Sequence, residues 1–227
     1  KAIDIEVGKR NNKSVATALA NELLTGGGDI EVGLTAKGIR LTPRSVEVPV
    51  QVGKPQINAN DVVVVSGGAK GVTAACIIEW AKDCKAKFLL VGRSDLIEEP
   101  AFAIGLTTDA QLKGAVLAQA KQNGEKITPN ELSSRTYAIL SGREIRGTLA
   151  AIEANGGEAR YRSASVTDTA SITAVLNETR KDWGAIAGLV HGAGVLADRR
   201  IADQTDAQFD KVFNTKIEGL RVLLGAL

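Results

Sequence analysis

Residues 62–73, Val62-Val-Val-Val-Ser-Gly-Gly-Ala-Lys-Gly-Val-Thr73, carry an unbroken apolar strand straight into a glycine turn and then a helix. Four consecutive valines suit a parallel strand buried on both faces, and Gly67, Gly68 and Gly71 let the backbone turn tightly and approach a phosphate. The helix that follows, from Gly71 through Ala81, offers free N–H groups and a positive dipole end to that phosphate. Ser66, Lys70 and Val72 complete this candidate dinucleotide turn. A plain strand–turn–helix, with glycines serving geometry alone, fits the same residues. A nucleotide P-loop does not, because the Gly-x-x-x-x-Gly-Lys-Ser/Thr order is missing.

The rest of the chain supplies the frame. After residue 57 strands and helices alternate: Val62 to Val65, a helix, Phe88 to Val91, a long excursion, a helix from Arg143 to Asn155, Ala159 to Tyr161, a helix from Thr169 to Trp183, then Leu189-Val190. That alternation predicts an α/β fold, a Rossmann-like doubly wound parallel sheet. The excursion, residues 95–142, is too long for an ordinary βα loop and reads as a structured insertion. Thr128-Pro-Asn-Glu131 is a capping box that starts a short helix to Leu140, and Ala110 to Gln122 is a second helical segment.

Before residue 57 the pattern differs. Val15, Leu19, Leu23 and Leu24 recur at helical spacing until Gly26-Gly-Gly28. Period-two alternation follows through Ile30, Val32 and Leu34, then Ile39 and Leu41, then Val46, Val48, Val50 and Val52, which predicts a small β-rich piece. Pro43, Pro49 and Pro55 mark a crossing between substructures, so the expected division is 1–56 and 57–227.

Composition bounds the partners. The 227 residues are 44% hydrophobic and 24% charged with a net charge of +2, so no electrostatic footprint for nucleic acid or a membrane surface stands out. No apolar stretch reaches the roughly 18 residues of a membrane span, and the start lacks a signal-peptide core. Cys76 and Cys84 form neither a zinc knuckle nor a redox pair; they read as small core residues in a reducing cytoplasm, and no metal ligands are assigned. The chain has no methionine and opens mid-strand, as expected of a piece of something larger.

Strand two ends in Gly92-Arg93-Ser94, 22 residues beyond Gly71, where NAD-binding folds place an acid against the ribose. Arg93 and Ser94 instead suit the extra phosphate of NADP, since guanidinium pairs bidentately with phosphate. A solvated surface arginine, with Asp95 close by, is the competing reading. Gly188-Leu-Val-His-Gly-Ala-Gly194 is another apolar strand meeting glycines, where Gly192, Ala193 and Gly194 leave room for a nicotinamide-ribose. His191 there is given no proton-transfer role. A second capping box, Thr205-Asp-Ala-Gln208, opens the last helix, whose stripe runs Phe209, Val212, Phe213, Ile217, Leu220 and Leu224. Lys216 falls within that stripe, which predicts a core-facing stem, either snorkelling or tuned for proton chemistry.

Together, Ser-Gly-Gly-Ala-Lys-Gly-Val-Thr at 66–73, Gly-Arg-Ser at 92–94, Val-Thr-Asp at 166–168, His-Gly-Ala-Gly-Val-Leu-Ala-Asp at 191–198 and Asn-Thr-Lys-Ile-Glu-Gly-Leu at 214–220 resemble the ketoreductase domains of polyketide synthases. These belong to the short-chain dehydrogenase/reductase superfamily. The long insertion is most similar to ketoreductases of polyunsaturated fatty acid synthases and of iterative or trans-acyltransferase polyketide synthases. The resemblance implies that residues 1–52 are the C-terminal part of a structural subdomain. It also implies NADPH as hydride donor and a 3-ketoacyl chain held by phosphopantetheine on an acyl carrier protein, with other domains of the same synthase as neighbours. Lys216 then takes the role of the supporting catalytic lysine, Val166 and His191 fall in the cofactor site, and Leu196 with Asp198 resemble the element that orients substrate for a D-3-hydroxyacyl product.

Three departures accompany the resemblance. Thr73 replaces the third glycine of the fingerprint, and Ser165 stands where an aspartate usually contacts adenine. The catalytic serine and tyrosine are expected beyond Leu227, because Tyr137 and Tyr161 are followed four residues on by Ser141 and Ser165. The competing function is a noncatalytic Rossmann-like scaffold module, which a downstream serine followed by Tyr-x-x-x-Asn would exclude.

Overall fold

A computed structural model describes residues 1–6, 8, 11–49, 53 and 56–227, which divide into two compact units, 1–53 and 54–227. In the first, β1 (Ala2–Ile5) and β2 (Glu31–Leu34) pair in parallel through the crossover helix α1 (Asn12–Thr25), and β3 (Arg40–Leu41) adds antiparallel to β2. Asn11 caps α1 by accepting from Ser14 N–H at 2.7 Å. Glu22, buried on α1, receives Lys1 Nζ and Arg40 Nε, both at 2.7 Å, so one carboxylate ties the helix to both ends of the small sheet. The expected strand over 46–52 does not form at Val46 and Val48, which are exposed and unpaired. Alternation there comes with no sheet edge to bury it, and Pro43 and Pro49 lack the N–H a ladder needs. Val50, Val52 and Pro55 lie outside the described residues.

The second unit holds a four-stranded parallel sheet built from β4 (Val62–Ser66), β5 (Lys87–Gly92), β6 (Glu158–Ser163) and β7 (Ile186–His191), in the order β6–β5–β4–β7. Successive side chains of a strand point to opposite faces, and the valine run uses both. Val63 and Val65 join Phe88 and Leu90 beneath α2 (Gly71–Cys84) and α4 (Pro129–Ala154). Val62 and Val64 join Leu89 and Val91 beneath α5 (Thr169–Trp183) and α7 (Gly219–Ala226). The chain leaves β4 toward β5 and β6 on one side and returns to β7 on the other, so the sheet has its topological switch point between β4 and β7.

The insertion is structured. Helix α3 (Asp109–Gln122) opens on a capping box of Thr108 and Gln111, and it packs with α4 around a small core of Ala103, Leu112, Val116 and Ile139. Arg143 pins the preceding loop by donating to the carbonyls of Leu106 and Ala103 and by pairing with Glu99. The two helices expected over 129–140 and 143–155 are a single helix of 26 residues. A glycine inside a helix costs only about 1 kcal/mol relative to alanine. At Gly142 the helix runs on because Ile139 is buried against the insertion while Ile145 and Ile152 are buried against the sheet.

The last helix also departs from expectation. Helix α6 (Asp206–Phe213) passes through one π-helical turn, Asn214–Glu218, before α7. The wider turn changes the phase of the stripe. Gly219 and Leu223 are buried, whereas Phe209, Phe213, Ile217 and Leu224 are exposed. Lys216 is exposed along with that stripe, part of which precedes the π turn, and this corrects its predicted core-facing position.

Candidate functional site

The C-terminal ends of β4, β5, β6 and β7 open into a cavity of about 520 Å³. The turn after β4 contributes Gly67 and Lys70; the tip of β5 contributes Gly92, Arg93 and Ser94; the segment after β6 contributes Ala164, Ser165, Val166 and Thr167; and the turn after β7 contributes Gly192, Ala193 and Gly194. Sequence-predicted residues from four separate strands thus converge on one space.

The two glycine turns interlock. Gly67 has φ of +67°, and a Cβ there would lie 2.8 Å from the backbone of Ala193. A Cβ on Gly192 would lie 2.5 Å from Thr73 Oγ1, so the threonine that replaces the fingerprint's third glycine is accommodated by a glycine across the switch point. Gly68 packs against Val65, where a Cβ would come within 2.3 Å of its Cγ1. Gly71 (φ +63°) faces open space, and its N–H donates to Glu144 Oε1 at 2.9 Å, so a carboxylate from α4 sits at the start of α2.

Ser66 and His191 lie behind the cavity rather than on its wall. Ser66 Oγ and His191 Nδ1 are 2.6 Å apart, and His191 Nε2 is 2.9 Å from the Lys216 carbonyl. A carbonyl only accepts, so Nε2 carries the hydrogen and neutral Nδ1 accepts from the Ser66 hydroxyl. Ser66 Oγ in turn accepts from Ala193 N–H at 3.4 Å. Val72 is exposed, as is Leu196. Asp198 and Lys216 line a neighbouring groove of about 570 Å³ with Phe209 and Phe213. Lys216 borders the main cavity only through its stem, Cε lying 3.5 Å from where a Cβ on Gly194 would stand. Thr215, one residue earlier on the π turn, does line the cavity.

The walls are basic without being ion-paired. Lys70 Nζ donates to the hydroxyls of Ser141 at 2.8 Å, Tyr137 at 2.9 Å and Ser94 at 3.3 Å, and it lies 4.9 Å from the Tyr137 ring centroid. Among the described residues neither Lys70 nor Arg93 has a carboxylate partner. Tyr161 fixes the β5 tip by donating to the Ser94 carbonyl at 2.6 Å. Burial, reinforced by the charge of Asp95, pushes its phenol up to about 12, so it stays protonated as a structural donor. Tyr137, Ser141 and Glu144 had no assigned part in the phosphate turn because they lie some 70 residues from it in sequence, and only the continuous α4 brings them there.

Residues 62–227 match the KR domain. The chain belongs to the KR domain family. This KR domain is 36% identical over 205 residues, 87% of its length, to a polyunsaturated fatty acid synthase polypeptide of Thraustochytrium sp., of which it spans 7%. It is 38% identical over 74 residues to a reducing polyketide synthase of Cochliobolus heterostrophus, spanning 33% of this chain and 3% of that protein. Among solved structures, a ketoreductase domain from the bacillaene assembly line superposes with a TM-score of 0.60 at 19% identity, over 99% of this KR domain and 42% of that chain. The fold is of the short-chain dehydrogenase/reductase type.

Proposed function

We propose that this KR domain binds NADPH and serves the reduction of a 3-ketoacyl thioester, carried on an acyl carrier protein, to the D-3-hydroxyacyl thioester. The observation that carries the cofactor part is the basic, unpaired wall of the switch-point cavity: Lys70 and Arg93 flank Ser94 at the β5 tip with no acid between them. A phosphate monoester suits that wall, because the exposed Arg93 and the half-buried Lys70 both offer cationic donors to it, whereas a bare ribose diol brings no charge to pair with either. Bound NADPH supplies the hydride that adds to the β-carbon as a proton adds to its oxygen.

The chain's own residues divide the work. The open face at Gly71, with Gly67, Gly68 and Val72, admits the pyrophosphate, while Val166 offers an apolar contact for the adenine. Gly192, Ala193 and Gly194 leave space for the nicotinamide-ribose, and Ser66 with His191 holds that turn in place. Lys216 orients the cofactor ribose and favours proton transfer to the substrate oxygen. Leu196 and Asp198 bias the entry side of the pantetheine arm. A cytoplasmic synthase whose other domains flank this one is the setting we assign.

The test is calorimetric titration of NADPH and NADH into the full chain. NADPH is expected to bind more tightly, and Arg93→Ala to weaken it by about 1 to 3 kcal/mol, the scale for a charge-assisted hydrogen bond. Equal or tighter NADH binding overturns the cofactor reading. Chiral analysis of the hydroxyacyl thioester made by the intact synthase tests the stereochemistry, and a mainly L product overturns that part alone.

A further inference from the structure

The insertion reaches into the cavity at one point. Tyr137 and Ser141, four residues apart on the N-terminal half of α4, present both hydroxyls to Lys70 Nζ, and Ser94 presents a third. An ammonium has three N–H donors, and here three neutral oxygens accept them. The choice of hydroxyls matters. A carboxylate in any of these places would cancel the charge of Lys70, whereas a hydroxyl accepts from the ammonium and keeps its own hydrogen to donate onward. Ser141 is buried, so this end of the cage is fixed by packing. Arg93 lines the same cavity and has no ion pair among the described residues.

We infer that the insertion is part of the cofactor site, with Tyr137 and Ser141 as positioning residues that hold Lys70 beside Ser94 and so determine selectivity for a 2′-phosphorylated adenosine. This deepens the NADPH reading and rests on it. A lysine on four flexible bonds samples many positions at an entropic cost when it binds. Two hydroxyls from a rigid helix remove that cost before the phosphate arrives. Tyr137, which lines the cavity, also adds a donor for an oxyanion carrying up to two charges. The insertion's own core of Leu112, Val116 and Ile139 packs α3 against the half of α4 that carries Tyr137.

The test uses adenosine 2′,5′-bisphosphate and 5′-AMP as probes, titrated calorimetrically into the full chain. The wild-type chain is expected to prefer the bisphosphate. Tyr137→Phe and Ser141→Ala should each weaken the bisphosphate about ten- to a hundredfold, the loss of one hydrogen bond to a charged group, and leave 5′-AMP unchanged. Ser141→Thr, which keeps the hydroxyl, should retain the preference. In a Lys70→Met background Tyr137→Phe should have no further effect on the bisphosphate. Variants that keep the wild-type ratio, or that weaken both probes equally, overturn the positioning role while the NADPH reading stands. No bisphosphate preference in the wild-type chain overturns both.

Discussion

The Ser66 hydroxyl donates to His191 Nδ1 across 2.6 Å and thereby closes the switch point between β4 and β7. Both residues end their strands, and the other face of the imidazole is tied to the Lys216 carbonyl on the π turn. One ring joins two strands and the helix that follows them. Replacing it with an isostere that cannot accept leaves a buried hydroxyl without its partner. His191→Phe is expected to cost about 1 to 3 kcal/mol in urea unfolding. Adding Ser66→Ala to that variant should recover part of the loss, and strict additivity of the two substitutions would show that the pair is not coupled.

Glu144 gives a prediction of opposite sign. Its carboxylate accepts from Gly71 N–H, at the turn to which the pyrophosphate is assigned. A like charge at that point weakens anion binding. Glu144→Gln should therefore bind NADPH about two- to tenfold more tightly at low salt, with the gain shrinking as salt is added. Weaker binding by the variant would mean that Glu144 organises the turn instead of competing for it.

The first unit carries a pH dependence. Hydrogen bonds from Arg40 and then Lys1 lower the Glu22 carboxyl from its ordinary value near 4.5 to about 2. A carboxyl whose folded pKa is depressed contributes stability that is fully present above the unfolded value and is lost as pH falls through the folded one. Amide exchange in α1 and β2 should accelerate between about pH 4.5 and pH 2, and Glu22→Gln should flatten that response. An unchanged acid profile in the variant would remove Glu22 as its cause.

Two leucines separate the cores. Leu112 and Leu90 are both fully buried, the first in the insertion and the second beneath the sheet. Leucine-to-alanine changes at such sites cost about 2 to 5 kcal/mol. Leu90→Ala is expected to lower the global melting transition. Leu112→Ala should raise exchange in α3 and in the first turns of α4 while the sheet keeps its protection; equal loss across the sheet would show that the two cores melt together.

What could be read in advance was local. The valine strand, the capping boxes at Thr128 and Thr205, and the helix Thr169–Trp183 are all written in consecutive residues, as caps and periods. Gly142 misled because its helix penalty is small and the burial that overrides it comes from two different cores. Lys216 misled for a different reason: its apolar stripe is already exposed at Phe209 and Phe213, ahead of the π turn, so helical spacing there does not mark a core face. The convergence of Arg93, Lys70 and the 192–194 turn followed from strand ends in a parallel sheet. The hydroxyl cage did not, since Tyr137 and Ser141 meet Lys70 only through tertiary packing.

The interlock of the glycine turns makes positions 73 and 192 a single steric decision. Thr73 Oγ1 and Cγ2 already fill the space a Cβ on Gly192 would need, so position 192 can gain a side chain only where position 73 gives up those two atoms. Swapping the bulk across the gap, as Thr73→Gly with Gly192→Ala, removes both clashing atoms and leaves only the Ser66 carbonyl close to the new Cβ, at 3.1 Å, whereas Gly192→Ala alone must displace the threonine side chain. Divergence at this joint must therefore pass through the smaller residue, losing the threonine before gaining the alanine.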